Sequence, residues 1–98
     1  MNDIILQMHM TISEEISELS RDIDVHYDGN SYFIFEGMYV IIEAEVYTRY
    51  DTFNFGEINF SNQAFFDPST TKEALSEIKT IFKVINDNDG VTVLTEEE

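Results

Sequence analysis

The feature that most constrains this fold is an unbroken alternation in the middle of the chain. Val40, Ile42, Ala44, Val46 and Thr48 share one parity, while Tyr39, Ile41, Glu43, Glu45, Tyr47 and Arg49 share the other. Successive strand side chains point to opposite faces, so this stretch predicts one apolar face and one face of acids and aromatics. A strand of that kind belongs to an antiparallel sheet with one covered side and one solvated side.

The neighbouring sequence supplies its partners. Asp24 to Tyr27 and Ser31 to Glu36 are strand-like and flank Asp28-Gly29-Asn30, a hairpin signal. Gly37 interrupts the pattern before the long strand. Tyr50-Asp51-Thr52 predicts a turn into a further strand from Phe53 to Ser61. Within it the apolar parity moves from Phe53 and Phe55 to Ile58 and Phe60, and the change falls at Gly56, where a bulge is expected. Asp67-Pro68-Ser69 ends the sheet, and Val91, Val93 and Leu94 suggest a short terminal strand.

Helices flank this region. Ile5, Met8, Ile12, Ile16, Leu19 and Ile23 recur at helical spacing. Ile4, Leu6, Met8 and Met10 also alternate, so two readings stand: one helix from Asp3 to Asp22, or a short strand before a helix from Ile12 to Arg21. Thr11 with Glu14 matches a capping box, and the helix from Ile12 onward is common to both readings. A C-terminal helix is expected from Thr71 to Ile85, with Ala74, Leu75, Ile78, Ile81, Phe82 and Ile85 on one face and Thr70 with Glu73 as its capping box. Asn86 to Gly90 stops it. The fold class is α+β: an antiparallel three- or four-stranded sheet with an N-terminal and a C-terminal helix packed on it. With 98 residues, a single domain over 1–95 and a short acidic tail over 96–98 are expected.

Charge narrows the function. Twenty Asp and Glu face five Lys and Arg, a formal net of -15. A net magnitude of about 2 to 8 keeps a small domain soluble. The excess costs stability through self-repulsion, so a binding role is the natural reason to keep it. The chain is rich in Ile, Phe, Tyr and Asn, a composition usually accompanied by Lys, yet it holds only Lys72, Lys79 and Lys83. All three lie in the C-terminal helix beside Glu73 and Glu77, which makes that helix look charge-balanced. The remaining chain sets its acids against Arg21 and Arg49 alone.

Two acidic surfaces stand out. Glu14, Glu18 and Asp22 form an i, i+4, i+8 stripe with Glu15 beside it, without interleaved Lys. Glu43 and Glu45 share a strand face about 6.6 Å apart, flanked by Tyr39 and Tyr47. Glu57, Asp24 and Asp28 could extend this second patch. Each surface taken alone is also what a solvated face looks like.

Little else carries chemistry. There is no cysteine, hence no disulfide, zinc-thiolate site or thiol nucleophile. His9 and His26 lie in apolar or strand-like runs, where packing is the commoner role. The four glycines are isolated, so no phosphate loop is present. Asp87, Asp89, Gly90 and Glu96 match positions of a calcium loop, but its first ligand position falls on Ile85. No enzyme activity, metal or cofactor is expected. A direct nucleic-acid binder needs the opposite charge, and an anionic membrane would repel this chain. Nothing resembles a signal peptide or a membrane span, so a cytoplasmic location is expected.

In size, acidity, Lys depletion and mixed layout, the whole chain resembles the small acidic phage-encoded anti-defence proteins, the anti-CRISPR and anti-restriction DNA mimics. The likeness rests on those features and on no shared motif. It implies a basic nucleic-acid-binding partner in the host cell, such as a CRISPR effector or restriction complex. It further implies that Glu14, Glu15, Glu18, Asp22, Glu43, Glu45 and Glu57 stand in for phosphates, with Tyr39 and Tyr47 among them as base-like rings. An immunity protein for a basic nuclease toxin and a phage structural or accessory subunit are the alternatives.

Overall fold

The structure, a computed structural model, describes residues 3–61 and 68–93. Helix α1 (Asp3–Leu19) is followed by strands β1 (Asp24–Tyr27), β2 (Tyr32–Glu36), β3 (Ile41–Arg49) and β4 (Thr52–Phe60). A one-turn 3-10 helix (Pro68–Thr70) leads into helix α2 (Thr71–Asn88), and strand β5 (Val91–Thr92) closes the order. The five strands form one antiparallel sheet in the order β1-β2-β3-β4-β5. The short terminal strand suggested by Val91 is present as β5 and brings the sheet to five strands. Leu94 and the tail over 96–98 lie outside the described residues.

The N-terminal ambiguity resolves as one helix. Ile4, Ile5, Met8, Ile12 and Ile16 are buried, while Leu6 and Met10 are exposed. That is the i, i+3, i+4 pattern of a helix and not the alternation of a strand. Thr11 therefore lies exposed in mid-helix, and the capping box expected from Thr11 and Glu14 does not form. The helix also ends three residues before Asp22. The Ser20 N–H donates to the Ile16 carbonyl at 2.8 Å, and the Asp22 N–H donates to Ser20 Oγ at 3.2 Å. Thr70 occupies the N-cap of α2 without a side-chain cap hydrogen bond, so the second capping box is absent too.

Both helices cover one sheet face. The core joins Ile5, Met8, Ile12 and Ile16 of α1 and Ile81, Val84 and Ile85 of α2 to Phe33, Phe35, Ile42, Ala44, Val46, Phe53 and Phe55 of the sheet. Phe33, Phe35 and Phe53 are fully buried, each contributing about 1.5–3 kcal/mol by apolar burial. Phe33 stacks with Phe53 at 5.8 Å between ring centres, and Phe55 meets Phe53 edge-on at 5.1 Å. His9 joins this cluster, 5.4 Å from the Phe33 ring, while its Nε2 donates to the Val25 carbonyl at 2.9 Å.

The expected bulge is present. Ala44 pairs with Ile58, and Val46 pairs with Phe55. Strand β3 advances two residues over this interval and β4 advances three, so Gly56 and Glu57 together oppose Glu45. Ile58 accordingly returns to the core-facing side, as its parity predicts. Among the described residues, no helix is long and apolar enough to cross a membrane.

Candidate partner-binding surface

The face of the sheet opposite the helices carries the second acidic patch. Strand pairing sets its composition: Tyr32 opposes Glu45, Ile34 opposes Glu43, and Glu43 in turn opposes Asn59. Tyr47 opposes Asn54, and Asp24 opposes Glu36. Alternation therefore brings Asp24, Glu36, Glu43 and Glu45 to one side of the sheet, with Glu57 joining them at the bulge. Arg49 is the cation of this face among the described residues.

Tyr32 is the centre of the patch. Desolvation raises its phenol above the usual tyrosine range, and the charges of Glu57, Glu45, Glu43 and Asp28 raise it further. Four carboxylates from two strands and a turn thus act on one phenol. Tyr32 was not among the residues singled out from sequence. What identifies it is its place opposite Glu45, which becomes visible only once the β2–β3 register is known.

Two devices hold the acids in place. Glu45 lies over Gly56, and its Oε1 accepts the Glu57 N–H at 3.2 Å. A Cβ at residue 56 would collide with that carboxylate, so the glycine makes room for Glu45. At the β1–β2 turn, Asp28 Oδ1 accepts the N–H groups of Asn30, Ser31 and Tyr32 at 2.8, 2.9 and 3.0 Å. Desolvation pushes the Asp28 carboxyl up, but the backbone hydrogen bonds from Tyr32, Asn30, Ser31 and Asp28 outweigh it and hold the group below the usual aspartate value.

The other sequence-derived residues are placed differently. Tyr39 does not share the outer face with Glu43 and Glu45. Strand β3 begins at Ile41, and Tyr39 sits in the turn before it, half-buried against the core. The strand begins two residues later than the alternation predicts. Tyr47 is on the outer face and exposed. Glu14 and Glu18 are exposed on α1, on the opposite side of the molecule from the sheet patch. Glu15 is half-buried, its Oε1 accepting Asn88 Nδ2 at 3.0 Å, so it joins α1 to α2. Asp22 lies outside the helix and does not continue the Glu14–Glu18 stripe. The nine residues therefore do not form one surface, and only Glu43, Glu45, Glu57 and Tyr47 share the sheet face.

One acid of helix α2 faces inward. Glu77 is buried, its Oε2 accepting the Met38 N–H at 2.8 Å and its Oε1 the Tyr39 and Val40 N–H groups at 2.9 and 3.1 Å. It clamps the β2–β3 turn. Asp87 pairs with Lys83 at 2.8 Å, and Asp89 Oδ1 accepts the Phe55 N–H at 2.9 Å. Two residues of the calcium-loop pattern thus have structural partners, and Glu96 lies outside the described residues. His26 is exposed on the outer face, its Nε2 3.1 Å from Glu36 Oε1, and does not pack in the core. No group of three or more His, Cys, Asp or Glu suited to a metal ion occurs among the described residues.

Comparison with protein-family models, with curated proteins and with solved structures returned no significant match.

Proposed function

We propose that this protein binds a basic, nucleic-acid-binding protein through its uncovered sheet face and excludes the nucleic acid from that partner's groove. The supporting observation is the convergence of Glu43, Glu45, Glu57 and Asp28 on Tyr32, with Arg49 as the single cation of that face among the described residues. Fixed carboxylates beside aromatic rings offer Lys and Arg side chains both charge and a flat surface. The net charge of -15 steers encounter with a positive groove and accelerates association at low salt. The chemistry expected of the surface is competition for a groove, not turnover of a substrate.

The test is displacement of fluorescent duplex DNA from a restriction or CRISPR effector complex at two salt concentrations. Displacement at low salt that fades at high salt is the expected result. A Glu43→Gln, Glu45→Gln, Glu57→Gln variant should displace about 10- to 100-fold less well, equivalent to about 1.4–2.7 kcal/mol. A Glu14→Gln, Glu18→Gln control should remain close to the parent. If the triple variant competes as well as the parent, the sheet face is not the binding surface.

A further inference from the structure

Among the described residues, the edge of β4 is only partly paired. This strand has nine residues, yet β5 pairs with Thr52 and Phe53 alone. The next outward donor, the Phe55 N–H, is taken by Asp89. Beyond the bulge, Asn59 opposes Glu43, and the Ser61 N–H donates to the Ile41 carbonyl at 2.9 Å. Asn59 and Ser61 thus direct their backbone groups toward β3. The alternation of an antiparallel ladder then turns those of Ile58 and Phe60 outward. Among the described residues, no strand pairs with them. The opposite edge of the sheet is managed differently: α1 packs along β1, and His9 occupies the Val25 carbonyl.

We infer that the Ile58–Phe60 edge receives an extended basic strand from the partner, which enlarges the sheet by strand addition. This inference rests on the partner being basic, as proposed above. Side chains on the two sides of the edge define what fits. On the helix side stand half-buried Ile58 and exposed Phe60, the latter 54% exposed with its ring 6.5 Å from Phe82. On the other side stand exposed Glu57 and Asn59, with Glu43 and Glu45 one strand away. A docked strand would alternate apolar residues toward Phe60 with Lys or Arg toward Glu57. Main-chain hydrogen bonds supply affinity in this mode, and the alternating side chains supply selectivity. A second copy of this chain fits poorly. It would set Glu57 against an equally acidic edge and bring together two bodies of net charge -15.

The probes are a synthetic peptide of alternating Lys and Val and the same peptide N-methylated along one edge. Binding is followed at low salt by amide hydrogen exchange of this protein. The plain peptide should slow exchange at Ile58 and Phe60 by ~10-fold or more, and the methylated peptide should bind at least ~10-fold more weakly. Equal binding of both, with changes at Tyr32, Glu43 and Glu45 but none at the edge amides, overturns strand addition and leaves the basic-partner proposal standing. Slow exchange of both amides in the dilute free protein overturns it as well, because the edge is then already occupied. If neither peptide binds, both proposals fall.

Discussion

Glu77 shows how much one side chain can do when it is buried. Its carboxylate satisfies three consecutive backbone donors across a turn and reaches them because residue 37 has no Cβ. Glu77→Ala should lower unfolding free energy by about 2–4 kcal/mol, since it leaves the Met38, Tyr39 and Val40 N–H groups without their partner. Gly37→Ala pushes the same carboxylate aside. The two changes should therefore be strongly non-additive, with Gly37→Ala costing much less in the Glu77→Ala background. Denaturant titration of the four proteins measures this. The sequence could not reveal the role, because Glu77 sits at an ordinary i, i+4 distance from Glu73 and its partners lie some 38 residues away. Asp28 is the simpler case, readable in advance as a turn residue because Asp-Gly between two strand patterns demands such a turn. Its carboxyl is held below the usual aspartate range in the folded state, so its contribution is fully present above that range and lost as pH falls through the folded pKa. The melting-temperature difference between the parent and Asp28→Asn should hold steady above about pH 5 and shrink below about pH 4.

At the scale of elements, the bulge decides how the acidic face is built. The change of apolar parity at Gly56 was legible because strand periodicity is strict, and a one-residue slip would turn Ile58 to the solvated face and Glu57 toward the core. The consequence for Glu45 was not legible, since it needs the β3–β4 register. Gly56→Ala should displace the Glu45 carboxylate at a cost of about 1 kcal/mol, as the obstacle is the end of a flexible side chain. Displacing it weakens one of the charges that hold the Tyr32 phenol above the usual range. Phenolate absorbance should therefore show Tyr32 ionising at lower pH in Gly56→Ala, and at lower pH again in the Glu43, Glu45, Glu57 triple variant. No change in either would mean that the carboxylates do not face Tyr32. The helices were legible to different degrees. The α2 periodicity was clear, whereas the first residues of α1 fit two periods, and burial of Ile4 and Ile5 together was what decided between them.

For the whole molecule, the excess of negative charge is a standing penalty that salt can relieve. Screening length falls from about 10 Å at 0.1 M to about 3 Å at 1 M ionic strength. The melting temperature should therefore climb by several degrees over that range in sodium chloride, where a charge-balanced domain would change little. A flat response would show that local hydrogen bonds already absorb the repulsion. Composition exposed the net charge at once, but its distribution depended on topology. A stripe on α1 and a stripe on β3 look equivalent in the sequence. The sheet places them on opposite sides, and the burial of Glu77 and the Asn88 bond of half-buried Glu15 turn further acids to structural use.

The strand order has a consequence for how the chain reaches this state. Strands β1 to β4 each pair with the next in sequence, so three hairpins can assemble while the C-terminal part is still emerging from the ribosome. The Asn88–Glu15 bond, 73 residues apart in sequence, and the β4–β5 pairing come last in chain order. Until α2 arrives, the turn at Met38 to Val40 has water instead of Glu77. The nascent sheet would be a half-formed object whose apolar side is shielded by α1 alone, and the final helix acts as the clasp that shuts it.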